Sequence, residues 1–190
     1  MEISLENLFD SPRRIRVIKF FIRNSNIFSA KSEIAKTLQI SSSLLEANLK
    51  NLILSGFLKT KKIKSQKVFS LNEKFPLLEE LRQLIKNATP TNEKKLAEKI
   101  AKTGQIKLVI VAGVFINSES SRADVLIIGD RMQKNKLTKL LKNLRAEIGK
   151  ELEYTVMSTK DFRYREDMFD RFLRDILEFP HKKLINKLKI

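Results

Sequence analysis

The sequence predicts a chain of mixed α+β and α/β class, built as two modules. Three observations carry that reading. Residues 31–71 run as helix, tight turn, helix and lysine-rich hairpin. Ala88-Thr89-Pro90-Thr91-Asn92 is a polar, proline-containing break in mid-chain. Beyond it, short β-branched runs alternate with amphipathic helical stretches, as in an α/β layer. The expected modules are residues 1–88 and 89–190.

In the first module, Ser11-Pro12 looks like an N-cap followed by proline at the first helical position. The helix runs to residue 23, with Ile15, Ile18, Phe21 and Ile22 inward and Arg16, Lys19 and Arg23 left for solvent. A second helix spans 31–38, with Ile34, Ala35 and Leu38 inward. Gln39-Ile40-Ser41 makes the turn, and Ile40 plugs the space between the helices. Ser41 is the natural N-cap of a third helix over 42–54. Leu45, Leu49, Leu52 and Ile53 form its buried stripe, and Gly56 stops it. Residues 57–63 and 67–71 are strands around a Lys64-Ser65-Gln66 tip. Lys59, Lys61, Lys62, Lys64 and Lys67 stud this hairpin with no acid among them. This order of elements describes a winged helix-turn-helix, which places one helix in a DNA groove. Residues 77–87 make a further helix.

The second module opens with an amphipathic helix over 93–102. Strands follow at 106–111, 125–128 and 152–157, with a long helix over 133–148 ended by Gly149. Ser158-Thr159-Lys160-Asp161 resembles a capping box opening another helix. A last helix covers 168–177, and residues 183–185 close the module as a strand. Lys182, Lys183, Lys187 and Lys189 interleave with Leu184, Ile185, Leu188 and Ile190, so the alternative for that tail is an amphipathic membrane-surface or partner segment.

The formal charge of +16 favours a polyanionic partner. The chain has no cysteine, which excludes disulfides and thiolate metal sites and fits a reducing cytoplasm. His181 is the sole histidine, so a multi-histidine metal site is excluded. No apolar run approaches the roughly 20 residues that span a bilayer, and Met1-Glu2-Ile3-Ser4 does not open a secretory signal.

On these residues the first module resembles winged-helix transcriptional regulators of the ArsR-like kind. The second resembles the minimal nucleotidyltransferase fold of the polymerase-β superfamily. That resemblance rests on Gly113, on residues 122–129, and on Leu152-Glu153-Tyr154-Thr155-Val156 followed by Asp161-Phe162. Active members carry Gly-Ser, a short loop, and Asp-x-Asp on a strand, where alternate residues share a face. Two such carboxylates converge on magnesium ions that neutralise the triphosphate. Here the glycine is Gly113 but the serine position is Val114, and the first aspartate position is Arg122. Asp124 holds the second, and Glu153 sits near the third carboxylate. A guanidinium puts fixed positive charge where a metal would sit. The resemblance therefore implies a vestigial site (Gly113, Arg122, Asp124, Glu153) without catalysis or metal, in which Arg122 pairs with Asp124 or Glu153. Arg122 with Ser118, Ser120 and Ser121 is a candidate holder of a nucleotide's phosphates, and a protein ligand is the other candidate for this module.

For the first module the expected partner is double-stranded DNA, read by a homodimer over two half-sites. Ser42, Ser43, Glu46 and Asn51 are candidates for base edges, glutamate by accepting from cytosine. Lys50, Arg13, Arg14, Lys61, Lys62, Lys64 and Lys67 are candidates for phosphate. The competing class is an active nucleotidyltransferase of toxin–antitoxin type, using Mg2+ and a nucleotide to modify a protein or small molecule.

Overall fold

Pro12 cannot donate a backbone hydrogen bond, so it costs least in a helix's first turn. It opens α1 (Pro12–Arg23), and Ser11 Oγ accepts from the Arg14 N–H at 3.4 Å. The computed structural model describes Leu5 and residues 11–88, 92–118 and 121–190. It is a mixed α+β chain with two small sheets. Residues 1–89 together with 143–151 form one unit, and 90–142 with 152–190 form the other. The sequence reading allots 143–151 to the second module; the fold gathers them with the first.

In the first unit β1 (Ser29–Ala30) leads into α2 (Lys31–Leu38), and Gln39 turns the chain with a left-handed φ of 52°. Ile40 is buried beneath that turn. Helix α3 (Ser42–Leu54) buries Leu45, Leu49 and Leu52. Ser41 stands at its N-cap position, but its side chain caps nothing: Ser41 Oγ lies 3.4 Å from Ser43 Oγ instead. Gly56, at φ 77°, ends the helix turn as expected of a residue without Cβ. Strands β2 (Leu58–Ile63) and β3 (Gln66–Leu71) pair antiparallel in a sheet of order β1-β3-β2. The hairpin tip is one residue shorter than expected. Gln66 pairs with Ile63, leaving Lys64 and Ser65 as a two-residue turn with φ of 46° and 65°. Positive φ at both turn residues matches the right-handed twist of the flanking strands. Helix α4 (Leu78–Asn87) completes the unit. Phe21, Ile34, Leu38, Leu45, Leu49 and Phe57 form one core, each contributing about 1.5–3 kcal/mol by removal from water.

The solvent face expected of α1 is overturned. Lys19 is only 1% exposed, and Arg16 and Arg23 are half-buried. The reason is packing by the chain at 143–151. Arg23 donates to the Ile148 carbonyl and Asn24 Nδ2 to the Gly149 carbonyl. A Cβ at Gly149 would lie 2.9 Å from the Phe20 backbone nitrogen, so the close approach requires glycine. Arg145 adds a 3.1 Å bond to Thr37 Oγ1.

The second unit starts with α5 (Glu93–Ala101), capped by Asn92, whose side chain accepts from Lys95 N–H at 2.7 Å. Strands β4 (Gln105–Val111), β5 (Val125–Asp130), β6 (Tyr154–Met157) and β7 (Lys182–Asn186) form a sheet of order β6-β5-β4-β7. Only the β5–β6 pair is parallel; helix α6 (Lys134–Ile148) intervenes between those strands in sequence. Ser158 caps α7 (Thr159–Asp167) by accepting from Asp161 N–H at 3.0 Å and donating to Asp161 Oδ2 at 2.7 Å. Helix α8 (Arg171–Glu178) starts three residues later than the sequence suggests. Phe169, at φ 52°, ends α7: its N–H bonds Glu166 O and the Asp170 N–H bonds Arg165 O. That is the Schellman pattern, with phenylalanine where glycine is the usual residue. Leu108, Ile110, Leu126, Ile128, Phe162 and Leu173 form this unit's core. Among the described residues no helix is long and apolar enough to cross a membrane.

Candidate nucleic-acid interface

Because α3 buries a stripe at helical spacing, its remaining side chains face out. Ser42, Ser43, Glu46, Ala47, Lys50 and Asn51 are all exposed. Glu46 is not idle: its Oε2 accepts from Lys31 Nζ at 3.0 Å. That hydrogen bond and the lysine's charge, with a smaller pull from Lys67, hold the Glu46 carboxyl below its ordinary range. Asn48 is not available for reading either, since its side-chain amide donates to the Leu44 carbonyl at 2.7 Å.

The hairpin shows what its sequence demands. Past Leu58 every residue of β2 is exposed, and Lys59, Lys61, Lys62, Lys64 and Lys67 stand in solvent. The register sets Lys62 directly opposite Lys67. Like charges at facing positions of an antiparallel pair are destabilising. Phe28 and Phe69 offer partial relief, with Lys61 Nζ 5.8 Å from the first ring's centroid and Lys67 Nζ 5.6 Å from the second's.

Two concavities gather the expected residues. One, of about 330 Å³, lies at the hairpin and is lined by Thr60, Lys61, Lys62, Ser65 and Lys67. The other, of about 610 Å³, runs between α2, α3 and the hairpin; Lys31, Glu46, Lys50 and Lys67 supply its charged lining. Lys64, Ser42, Ser43 and Asn51 line neither, and Arg13 and Arg14 stand exposed at the start of α1. Sequence reasoning missed Lys31 and the apolar floor of the larger groove: Leu49, Ile53, Leu54 and Phe69. Leu54 was the available signal. It extends the Leu52-Ile53 run past the buried stripe and is 76% exposed.

The second expected site takes a different form from the one anticipated. Arg122 does not pair with Asp124 or Glu153; its Nε forms an ion pair with Asp175 Oδ2 on α8. Asp124 instead holds backbone. Its Oδ1 accepts from Val114 N–H at 2.8 Å and its Oδ2 from Glu153 N–H at 3.0 Å. Gly113 has φ 51°, and a Cβ there would collide with Asp124 Oδ1. The Glu153 side chain is exposed. Asp124 therefore fastens the one-turn 3-10 helix after β4 (Gly113–Phe115) to the residue preceding β6. A magnesium pair is held by converging carboxylates, and these residues do not fit one: Arg122 holds the first aspartate position, Asp124 is engaged with backbone N–H groups, and Glu153 points to solvent. Of the candidate phosphate holders, Ser121 Oγ donates to the Ala123 carbonyl at 2.8 Å, and Ser120 lies outside the described residues.

At the opposite end of β5, Asp130 accepts from both Thr159 Oγ1 at 2.7 Å and Thr159 N–H at 3.0 Å. Those two bonds, hydroxyl first, lower its carboxyl from the ordinary value of 3.8.

No family model matches the sequence, and no curated protein or solved structure matches it either.

Proposed function

We propose that the protein is a sequence-specific, double-stranded-DNA-binding transcriptional regulator. In this reading the first unit is a winged helix-turn-helix of ArsR-like kind. The second is a nucleotidyltransferase-like domain without catalysis, serving as a sensor or interaction platform. One observation carries it: Lys62 faces Lys67 across a hairpin of five exposed lysines with no acid among them, beside the exposed face of α3. A fold tolerates that repulsion where a polyanion relieves it. The hairpin lysines then hold phosphates, while Asn51, Ser42 and Ser43 face base edges, and Glu46 reads cytosine once Lys31 releases it. The mixed sheet, with a glycine turn between β4 and β5 and β6 parallel to β5, supports the second half of the reading.

The regulator acts in the cytoplasm as a homodimer, since such domains read two half-sites. Titration of labelled duplex from its own upstream region, against shuffled duplex of equal length, tests the proposal. Specific binding should exceed non-specific binding by at least about a thousandfold. No binding to any duplex in dilute buffer sinks it. Calorimetry with ATP, with and without Mg2+, asks whether the second unit senses nucleotide, and Arg122→Ala should abolish any heat it gives.

A further inference from the structure

The groove between α2, α3 and the hairpin has a feature that duplex recognition does not use. A phosphate backbone is held by cations and hydrogen-bond donors. Leu49, Ile53, Leu54 and Phe69 supply neither, yet they floor a cavity of about 610 Å³, within the size range of small-molecule sites. Above that floor stand three lysines (Lys31, Lys50, Lys67) and a single acid, Glu46. Lys31 is taken up by Glu46 at 3.0 Å. Lys50 and Lys67 make no ion pair among the described residues, and Lys67 sits over the Phe69 ring at the edge of the floor.

We propose that this groove binds a small amphipathic organic anion: a carboxylate carrying an apolar chain or ring. The anion's head meets Lys50 and Lys67, and its tail covers Leu49, Ile53, Leu54 and Phe69. Each half of the ligand answers a different half of the site. A neutral apolar molecule leaves two ammonium groups facing an apolar body without a counter-charge. Leu49 and Phe69 are already buried from beneath, but a bare inorganic anion leaves the half-buried Ile53 and Leu54, 76% exposed, wet. Because α3 and the hairpin bound the groove, a seated ligand and a duplex compete for Lys50 and Lys67. That competition, which makes the anion an effector, rests on the DNA-binding reading; the ligand site itself does not.

The test is calorimetric titration of the full chain with octanoate, with 1-octanol as the neutral homologue and with inorganic phosphate as the tail-free anion. Octanoate should bind saturably, and the other two at least about tenfold more weakly. Lys50→Gln combined with Lys67→Gln should weaken octanoate by about tenfold or more, roughly the 1.4 kcal/mol of one decade. Leu54→Asp should do the same through the tail. All three positions are exposed, so thermal melting should match the parent chain. Octanoate and octanol binding alike, phosphate binding as well as octanoate, or octanoate binding untouched by the paired lysine change overturns the site. The duplex titration separates the two readings. Octanoate binding without duplex binding keeps the site and removes its effector role. Duplex binding without octanoate binding removes the site and leaves the DNA reading intact.

Discussion

The two units treat their charged residues in opposite ways. In the first, the side chains that carry chemistry face outward: Lys62 and Lys67 are placed against each other, and Lys50 has no ion-pair partner among the described residues. In the second, two charged residues of the expected site are absorbed by the fold: Asp124 holds two backbone N–H groups and Arg122 is paired with Asp175. Asp130, at the other end of β5, is likewise held by Thr159. The lesson concerns what a charged residue is for. Repulsion tolerated at a surface points to an absent partner, whereas a carboxylate satisfied by main chain points to architecture. Substitutions in the first unit should therefore change binding and leave stability alone; those in the second should do the reverse.

The largest effect expected is on binding. Converting Lys61, Lys62 and Lys64 to glutamine should weaken duplex affinity by about a hundredfold near physiological salt and flatten the log–log salt slope by about three. Anisotropy titration across a salt series checks both, and an unchanged melting temperature completes the contrast. An unaltered slope would break it on the first side.

Next comes Gly113→Ala, which adds a left-handed Cβ in collision with Asp124 Oδ1. Denaturant unfolding should show a loss of about 2 kcal/mol, from backbone strain and displacement of the carboxylate from Val114 N–H. Duplex affinity should not move.

A subtler probe is pH. Thr159 depresses the Asp130 carboxyl, so the contact's contribution is full above the unfolded-state value near 3.8 and fades as pH falls through the lower folded-state value. Thr159→Val removes the hydroxyl donor. The stability difference between parent and variant should be constant above about pH 5 and shrink below about pH 4. A difference independent of pH down to 2.5 would mean the hydroxyl contributes nothing through Asp130.

The smallest effect has the opposite sign. Phe169 occupies a left-handed position that suits glycine and is 83% exposed. Phe169→Gly should raise stability by up to about 1 kcal/mol in thermal melts. A loss instead would show that the ring packs in solution.

Much of the first unit was legible because its signals are local. Leu45, Leu49 and Leu52 repeat at helical spacing, Gly56 follows, and the hairpin's lysines lie within one short stretch. What escaped was set by distant chain. Lys19 carries no local mark of burial; it is covered because residues 143–151 fold back onto α1. The two-residue β1 has no periodicity to read, and it exists because Ser29 and Ala30 pair with Phe69 and Val68. In the second unit the strands and long helix follow from β-branched runs and a leucine stripe. The partner of Arg122 does not, since Asp175 lies on another helix. Asp124's role was hidden for a related reason: a sequence displays carboxylates but not the backbone amides that reach them. The groove floor combines α3 with β3, so only Leu54, apolar beyond its own stripe, hinted at it.

Strand β2 forms an outer margin of its three-stranded sheet, with its outward amides and carbonyls offered to any extended chain that approaches. Ammonium groups at Lys59, Lys61 and Lys62 repel a second copy arriving strand to strand. The same side chains thus guard against fibril-like self-association, and neutral variants of this hairpin should be handled dilute or given a proline on that margin.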